Sequence, residues 1–414
     1  MTFPEAPLRV LTFSTLFPSS ARPGHGAFIE TRQRALLQAG AVQTRVLAPV
    51  AWFPSAHPRF GAWACMAATP RRELRNGLDV LHPRYALPPK VGQTVAPLAL
   101  ALGAWPAVRR LRREGFDFDV IDAHYFYPDG VAAALLAHWA GRPFLITARG
   151  SDINLLGRDA LARRMMVWAA SRAAAAIGVC TDLTLQLHAW GVTAGKLHVL
   201  PNGVDLQRFV PQPTAAARAR TGLQGAPALL CVGNLVAVKG QALALEALAL
   251  LHRTRPQATL TLLGDGPLRP TLERQARNLG LAGHVRFAGR VANEELAAWY
   301  SAADLTLLPS HSEGWANVLL ESLACGTPVV ATAVGGSGEV ISVPAAGALL
   351  QGRDPAAFAA LIQRQLAMPP DPAAVRRYAE GFAWERTARA QYELLRGAVA
   401  QHRAAAQGAP VAAR

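Results

Sequence analysis

Two glutamates eight positions apart, Glu313 and Glu321, frame the run EGWANVLLE. Eight residues is a little over two helical turns, so a helix here would project both carboxylates from roughly one side. The helix-like stretch follows Trp315, with Glu313 in the turn that enters it. Carboxylates accept hydrogen bonds from hydroxyls, and the first N–H groups of a helix face an anion. A ligand with phosphates in its middle and sugars at both ends suits that arrangement. Lys239, in VGNLVAVKG, either neutralises such a phosphate or stands as a solvated lysine at a helix start. No GxxxxGK[ST] run is present, which excludes a P-loop nucleotidase.

Other polar residues stand where strands end. Gly24, His25 and Gly26 precede a helix, which suits close approach to phosphate; Pro and Gly also mark an ordinary turn. His124 and Asp129 lie in DAHYFYPDG, and Arg149 and Asp152 in TARGSD. Asp265 is in LGDGP and Arg290 in GRV, where loops could surround a base. Each reads alone as a turn or cap. Together they mark the carboxyl ends of strands, where open α/β sheets bind ligands.

The elements that would position them alternate. Strands are expected at Arg9–Phe13, Gln43–Pro49, Val120–Ala123, Pro143–Thr147 and Ala175–Val179. Helices are expected at Phe28–Gln38, Asp129–Ala140, Arg158–Ser171 and Asp182–Ala189, the first stopped by Gly40. This is the rhythm of a parallel sheet covered on both faces. Residues 51–116 interrupt it with Trp, Pro and Arg. A second α/β series starts at Ala228, after the connection LPNGVDLQRFVPQP. It runs through a helix Gln241–His252, strands Thr259–Leu263, His284–Phe287 and Asp304–Leu308, and helices Thr271–Gly280 and Glu294–Ser301. A long helical element is expected over Asp371–Ala398, with a frayed Ala/Gly-rich tail beyond Gln401.

At 414 residues the chain is too long for one hydrophobic core, so two domains are expected. Apolar residues at 51% and charged residues at 17% mark it as globular. The net charge of +15 favours anionic partners. LGAWPAVRRLRREGF concentrates that charge beside apolar residues, which fits a solvated helix end or docking on an anionic membrane face. No reader motif for nucleic acid accompanies it. Cys65, Cys180, Cys231 and Cys325 are far apart in apolar surroundings, so buried free thiols are expected rather than a metal cluster. The N-terminus lacks the order of a signal peptide, and no apolar run reaches membrane-spanning length.

In their order the motifs resemble those of glycosyltransferase family 4. They are the His25–Gly26 loop, TARGSD, PNGVD, GNLVAVKG, LGDGP, GRV and HSEGWANVLLESLACGTPVVAT, and they cover nearly the whole chain. DAHYFYPDG with TARGSDIN is most similar to the teichuronic-acid and exopolysaccharide enzymes of that family. The resemblance implies a GT-B fold, with two Rossmann-like domains facing each other across a cleft. The first, 1–205, would serve the acceptor, with a helix at about 380–400 packing back on it. The second, 206–379, would hold the nucleotide-sugar donor, and 401–414 would be a tail.

It also implies retention at the anomeric carbon and a UDP- or GDP-sugar donor. No metal or other cofactor is implied. The acceptor would be a saccharide or lipid-linked saccharide, met in the cytoplasm or at the inner membrane face. Glu313 would hold donor-sugar hydroxyls and Glu321 the ribose. The backbone at Asn317, Val318 and Leu319 would meet the diphosphate, Lys239 would balance its charge, and Arg290 would border the base. Two departures stand out. Asn234 replaces an arginine that many relatives carry before the lysine, and Arg149 replaces a histidine. Arginine cannot shuttle a proton at neutral pH, so Arg149 would supply charge and His124 an acceptor-side contact. A sugar-nucleotide epimerase, a phosphorylase and a non-catalytic sugar-nucleotide-binding protein share the architecture and remain alternatives.

Overall fold

The computed structural model describes residues 6–87 and 92–408. The chain divides into two compact units, Met1–Pro201 with Glu385–Arg414, and Asn202–Trp384.

The first unit is built on a sheet of eight strands: Leu8–Phe13 (β1), Val42–Leu47 (β2), Arg72–Arg75 (β3), Leu78–Leu81 (β4), Val120–His124 (β5), Phe144–Ala148 (β6), Ala175–Gly178 (β7) and Leu197–Val199 (β8). Their order is β8-β7-β6-β5-β1-β2-β4-β3. Only β3 is antiparallel; it pairs with β4 through Asn76 and Gly77, both at positive φ, as a tight two-residue hairpin requires. β5 and β6 are buried at every position, as expected of parallel strands covered on both faces. Strand order reverses between β1 and β5, so the loops after these two strands flank the ligand-binding crevice of such a sheet.

Those loops are fixed by backbone. Gly26 has φ 71° and opens the helix Ala27–Ala39; a Cβ there would lie 2.1 Å from the Leu16 carbonyl oxygen. Residues 51–116 resolve into the helix Ala62–Ala68, the β3–β4 hairpin and the helix Gly92–Arg113. The basic cluster ends that last helix, and part of it is neutralised: Arg110 pairs with Glu114 at 2.6 Å and Arg112 with Asp117 at 2.8 Å.

The second unit has six parallel strands: Ala228–Val232 (β9), Thr259–Leu263 (β10), Val285–Gly289 (β11), Leu305–Leu308 (β12), Val329–Thr332 (β13) and Gly347–Leu350 (β14). Their order, β11-β10-β9-β12-β13-β14, is the 3-2-1-4-5-6 order of a Rossmann sheet. The order reverses between β9 and β12. Buried leucines of β9, β10 and β12 pack with those of the helix Gln241–Leu251 and with Phe358 and Ile362 of the helix Pro355–Ala367.

Three expectations are corrected. The single element over Asp371–Ala398 is two helices, Pro372–Glu380 and Trp384–Ala406. Between them Val204 bridges to Ala383 and its N–H donates to Phe382 O at 2.9 Å, so the chain there is committed to pairing. Residues 401–406 continue the last helix rather than fraying, and the rest of the expected tail, 409–414, lies outside the described residues. Cys65 is exposed, whereas Cys180, Cys231 and Cys325 are buried; all four are free thiols. Leu395, Ala398 and Val399 of the last helix pack on Val10, Val120, Leu145 and Ile177 of the first sheet. Among the described residues, no helix is long and apolar enough to cross a membrane.

Candidate active site

In the second unit the loops after β9 and β12, which flank its strand-order reversal, carry Lys239 and Glu313. Glycines let these loops touch through backbone alone. A Cβ on Gly264 would lie 2.1 Å from Gly233 O, and one on Gly266 2.5 Å from Leu235 O. Gly240, at φ 61°, ends the short 3-10 turn Ala237–Lys239, and a Cβ there would lie 2.2 Å from Pro309 O. Any larger residue would push the lysine loop off the glutamate loop.

The glutamate loop is braced from outside. Arg353 donates to Pro309 O at 2.7 Å and Ser310 O at 2.9 Å, and the Thr332 hydroxyl donates to Ser310 O at 2.6 Å. Gly335, at φ 50°, sits where a Cβ would be 2.1 Å from Glu313 O. The result is an ion pair: Lys239 Nζ lies 2.7 Å from Glu313 Oε1, and Ser310 Oγ donates to the same oxygen at 2.6 Å. The Glu313 side chain is only 9% exposed, the lysine 25%.

Glu313 precedes the helix Asn317–Ala324 by four residues, and Glu321 lies on that helix. Glu321 is half-buried and accepts from Tyr300 Oη at 2.8 Å. Burial raises its pKa, and the tyrosine hydrogen bond opposes that rise. The two glutamates therefore have different partners. Asn317 opens the helix and its Oδ1 accepts from Asn202 Nδ2 at 3.1 Å; Val318 is half-buried and Leu319 is in the core. Asn234, Asp265 and Arg290 are exposed on the loops after β9, β10 and β11. Asn234 O accepts from Gln241 Nε2 at 2.9 Å, and Asp265 Oδ1 accepts the next residue's N–H at 2.8 Å.

In the first unit the strand-order reversal is crossed by Asp129. Its carboxylate is fully buried and accepts from Thr15 N at 2.7 Å, Thr15 Oγ1 at 2.9 Å and Ser14 Oγ at 3.3 Å. Burial outweighs these hydrogen bonds and lifts its pKa to about 7. Asp152 is buried too, accepting from Phe126 N at 2.7 Å, Gly150 N at 2.8 Å and Arg149 N at 3.0 Å.

His124 and Arg149 are brought together. Arg149 Nη2 lies 2.6 Å from His124 Nδ1 and must donate to it, so the ring proton is on Nε2, 3.2 Å from Asp122 Oδ2. The guanidinium also lies over the Phe28 ring at 5.3 Å. Burial, more than the neighbouring Arg149, depresses His124 to about 4 and leaves it neutral at neutral pH, despite Asp122. His25 is likewise depressed to about 4, first by burial and then by Arg22, whose Nη2 lies 2.9 Å from its Nδ1.

Sequence reasoning missed the residues behind this pair. Asp122 Oδ2 accepts from Gln391 Nε2 at 2.6 Å and Gln33 Nε2 at 3.0 Å, and Gln391 Oε1 accepts from Arg32 Nε at 2.6 Å. Arg32, Gln33, Asp122 and Gln391 are all fully buried. Asp122 was within reach, since alternate residues of a strand share a face and it is two before His124. Gln391 carries no local signal. Among the described residues, no group of three or more His, Cys, Asp or Glu could hold a metal ion.

The family of Glycosyl transferases group 1 matches residues 214–382, and Glycosyltransferase Family 4 matches residues 21–208. A D-inositol 3-phosphate glycosyltransferase 1 of Catenulispora acidiphila is 31% identical over 407 residues, 92% of this chain and 93% of that one. The chain belongs to glycosyltransferase family 4. It is a glycosyltransferase of GT-B-type fold. A putative teichuronic acid biosynthesis glycosyltransferase of Bacillus subtilis is 30% identical over 334 residues, 80% of this chain and 82% of that protein. A D-inositol 3-phosphate glycosyltransferase of Geodermatophilus obscurus reaches 42% identity over 209 residues, 48% of this chain and 46% of its own length. Among solved structures, Anabaena HepE in complex with UDP matches with a TM-score of 0.69 at 21% identity, over 94% of this chain and 100% of that one. At that identity the likeness shows the fold.

Proposed function

We propose that this family 4 enzyme transfers a sugar with retention, from a UDP- or GDP-sugar to a saccharide or lipid-linked saccharide of a cell-surface polysaccharide. The observation that carries the reading is the Lys239–Glu313 ion pair at the strand-order reversal of the second unit. Lys239 meets the diphosphate and balances the charge that develops as it leaves. Glu313, released from the lysine, takes donor-sugar hydroxyls. Glu321 takes the ribose, and the N–H groups opening the helix at Asn317 face the phosphates. Asn234, Asp265 and Arg290 border the nucleotide.

The second unit is then the donor side and the first the acceptor side. His124 is neutral and already bonded at both ring nitrogens, so it orients Arg149 and does not act as base. Arg149 presents positive charge where relatives have a histidine. The departing phosphate oxygen helps take the acceptor proton, which leaves no protein base to assign. The reaction is proposed to need no metal: transfer that survives EDTA supports this, and transfer restored only by a divalent cation contradicts it.

A lipid-linked acceptor at an anionic membrane face is supported by the helix Gly92–Arg113. It exposes Val95, Leu98 and Leu102 along one stripe, and Arg109 and Arg113 near its end make no ion pair among the described residues. The test of the whole reading is acceptor-dependent nucleotide release from a panel of nucleotide sugars. Loss of release in Glu313→Ala supports the transferase; binding of the donor without transfer to any acceptor supports the non-catalytic alternative.

A further inference from the structure

Beside the loop after β1 the first unit holds a cavity of about 230 Å³ that the donor site does not use. Its polar lining includes Thr15, Ser19, Arg22, His25, His82 and Tyr85. At about 30 Å³ per water the space takes one sugar ring, and it falls below the range typical of nucleotide-sized ligands. Thr15 ties the cavity to the strand-order reversal, because its N–H and hydroxyl both donate to Asp129.

The charge in this cavity is one-sided. Arg22 is partly buried, yet no carboxylate lies within ion-pair distance of it among the described residues. Among the described residues its guanidinium hydrogen-bonds one side chain, His25 Nδ1, which accepts and brings no charge; Cys65 is close enough to favour its charged form. The nearby acids are occupied elsewhere. Glu73 accepts from Ser20 N at 3.1 Å and lies 2.9 Å from His82 Nε2, while Asp129 is held by Ser14 and Thr15. A partly desolvated guanidinium without a counter-ion is expensive unless an anion completes it. Guanidinium also recognises carboxylate or phosphate through two parallel hydrogen bonds. The Tyr85 hydroxyl and the Thr15 and Ser19 hydroxyls suit the neutral oxygens of a sugar.

We propose that this cavity is an acceptor subsite for a single acidic sugar, one bearing a carboxylate or a phosphate, with Arg22 holding the anion. The proposal rests on the first unit being the acceptor side. Both chemistries share the same fork of oxygens, and the experiment separates them.

Calorimetric titration of the full chain with D-glucuronate, glucose 6-phosphate and glucose tests it, with UDP and GDP titrated into the same preparations. At least one acidic sugar is expected to bind tenfold or more tightly than glucose, and the one preferred identifies the anion. Arg22→Gln is expected to abolish that preference and leave affinity for the bound nucleotide, UDP or GDP, unchanged. Arg22→Lys, which keeps charge without the fork, is expected to retain part of the preference and stands in if the glutamine variant does not fold. Acidic sugars binding no better than glucose, or a preference that survives in Arg22→Gln, overturns the subsite. Acidic-sugar preference with neither UDP nor GDP bound leaves the subsite standing and sinks the donor reading instead.

Discussion

Lys239 is one of only three lysines in a chain whose other thirty-nine basic residues are arginines, and it is the one placed against Glu313. An ammonium is a compact charge on a flexible stem, able to leave a carboxylate for a phosphate without rearranging a planar fork. Removing it is expected to reduce kcat by roughly 10²–10³-fold, the loss usual for a group that stabilises developing charge. Single-turnover release measured in Lys239→Met checks this, and a variant within threefold of wild type would contradict it. Asp129 makes a separate prediction. Its pKa rises from the usual carboxylate range to about 7, so the folded state binds more protons than the unfolded one between about pH 4 and 7. Stability from this group is full below that window and is lost as pH rises through 7. Asp129→Asn should therefore gain on wild type between pH 5 and pH 8, by about 1 kcal/mol or more, read from urea midpoints at the two pH values. A difference that does not change with pH would show that Asp129 ionises normally.

At the scale of elements, the last helix holds a buried charge apart from its counter-charge. Gln391 accepts from Arg32 and donates to Asp122, which in turn faces His124 and through it Arg149. One amide does both, so Gln391→Leu removes a hydrogen bond from each of two buried charges, leaving Arg32 with Leu200 O and Asp122 with Gln33 and His124, and should cost about 3–5 kcal/mol. Chemical denaturation checks the figure, and a loss under 1 kcal/mol would show that water or another side chain replaces the amide. The same network marks where sequence reading stopped. Strands such as β5 and β6 were legible because continuous apolar runs are all a doubly covered strand needs. Lys239 and Glu313 were legible because each follows a strand in a short Gly-bounded loop. Arg32, Gln33 and Gln391 were not, because polar residues on helices read as solvent-facing until a partner far along the chain is known. The break at Gly381–Ala383 was missed for a related reason: it is imposed by pairing with Val204, which no local propensity reports. The residues 51–116 hid a hairpin whose Asn76–Gly77 turn is itself a strong local signal.

For the whole molecule, the net charge of +15 and the exposed leucines of the helix Gly92–Arg113 set how it meets surfaces. Binding to vesicles containing anionic lipid is expected to exceed binding to neutral vesicles, and to weaken as salt shortens the Debye length toward 3 Å at 1 M. Equal binding to both vesicle types would remove the electrostatic part of that proposal. The proposed donor site of the second unit rests on the Lys239–Glu313 pair. The most direct measurement is nucleotide release from a panel of UDP- and GDP-sugars, with and without a membrane-lipid or saccharide extract, in wild type, Lys239→Met and Glu313→Ala. Release is expected to depend on acceptor for one donor and to fall at least a hundredfold in both variants. Undiminished release in the variants, or no binding of any nucleotide sugar by the wild type, would contradict it.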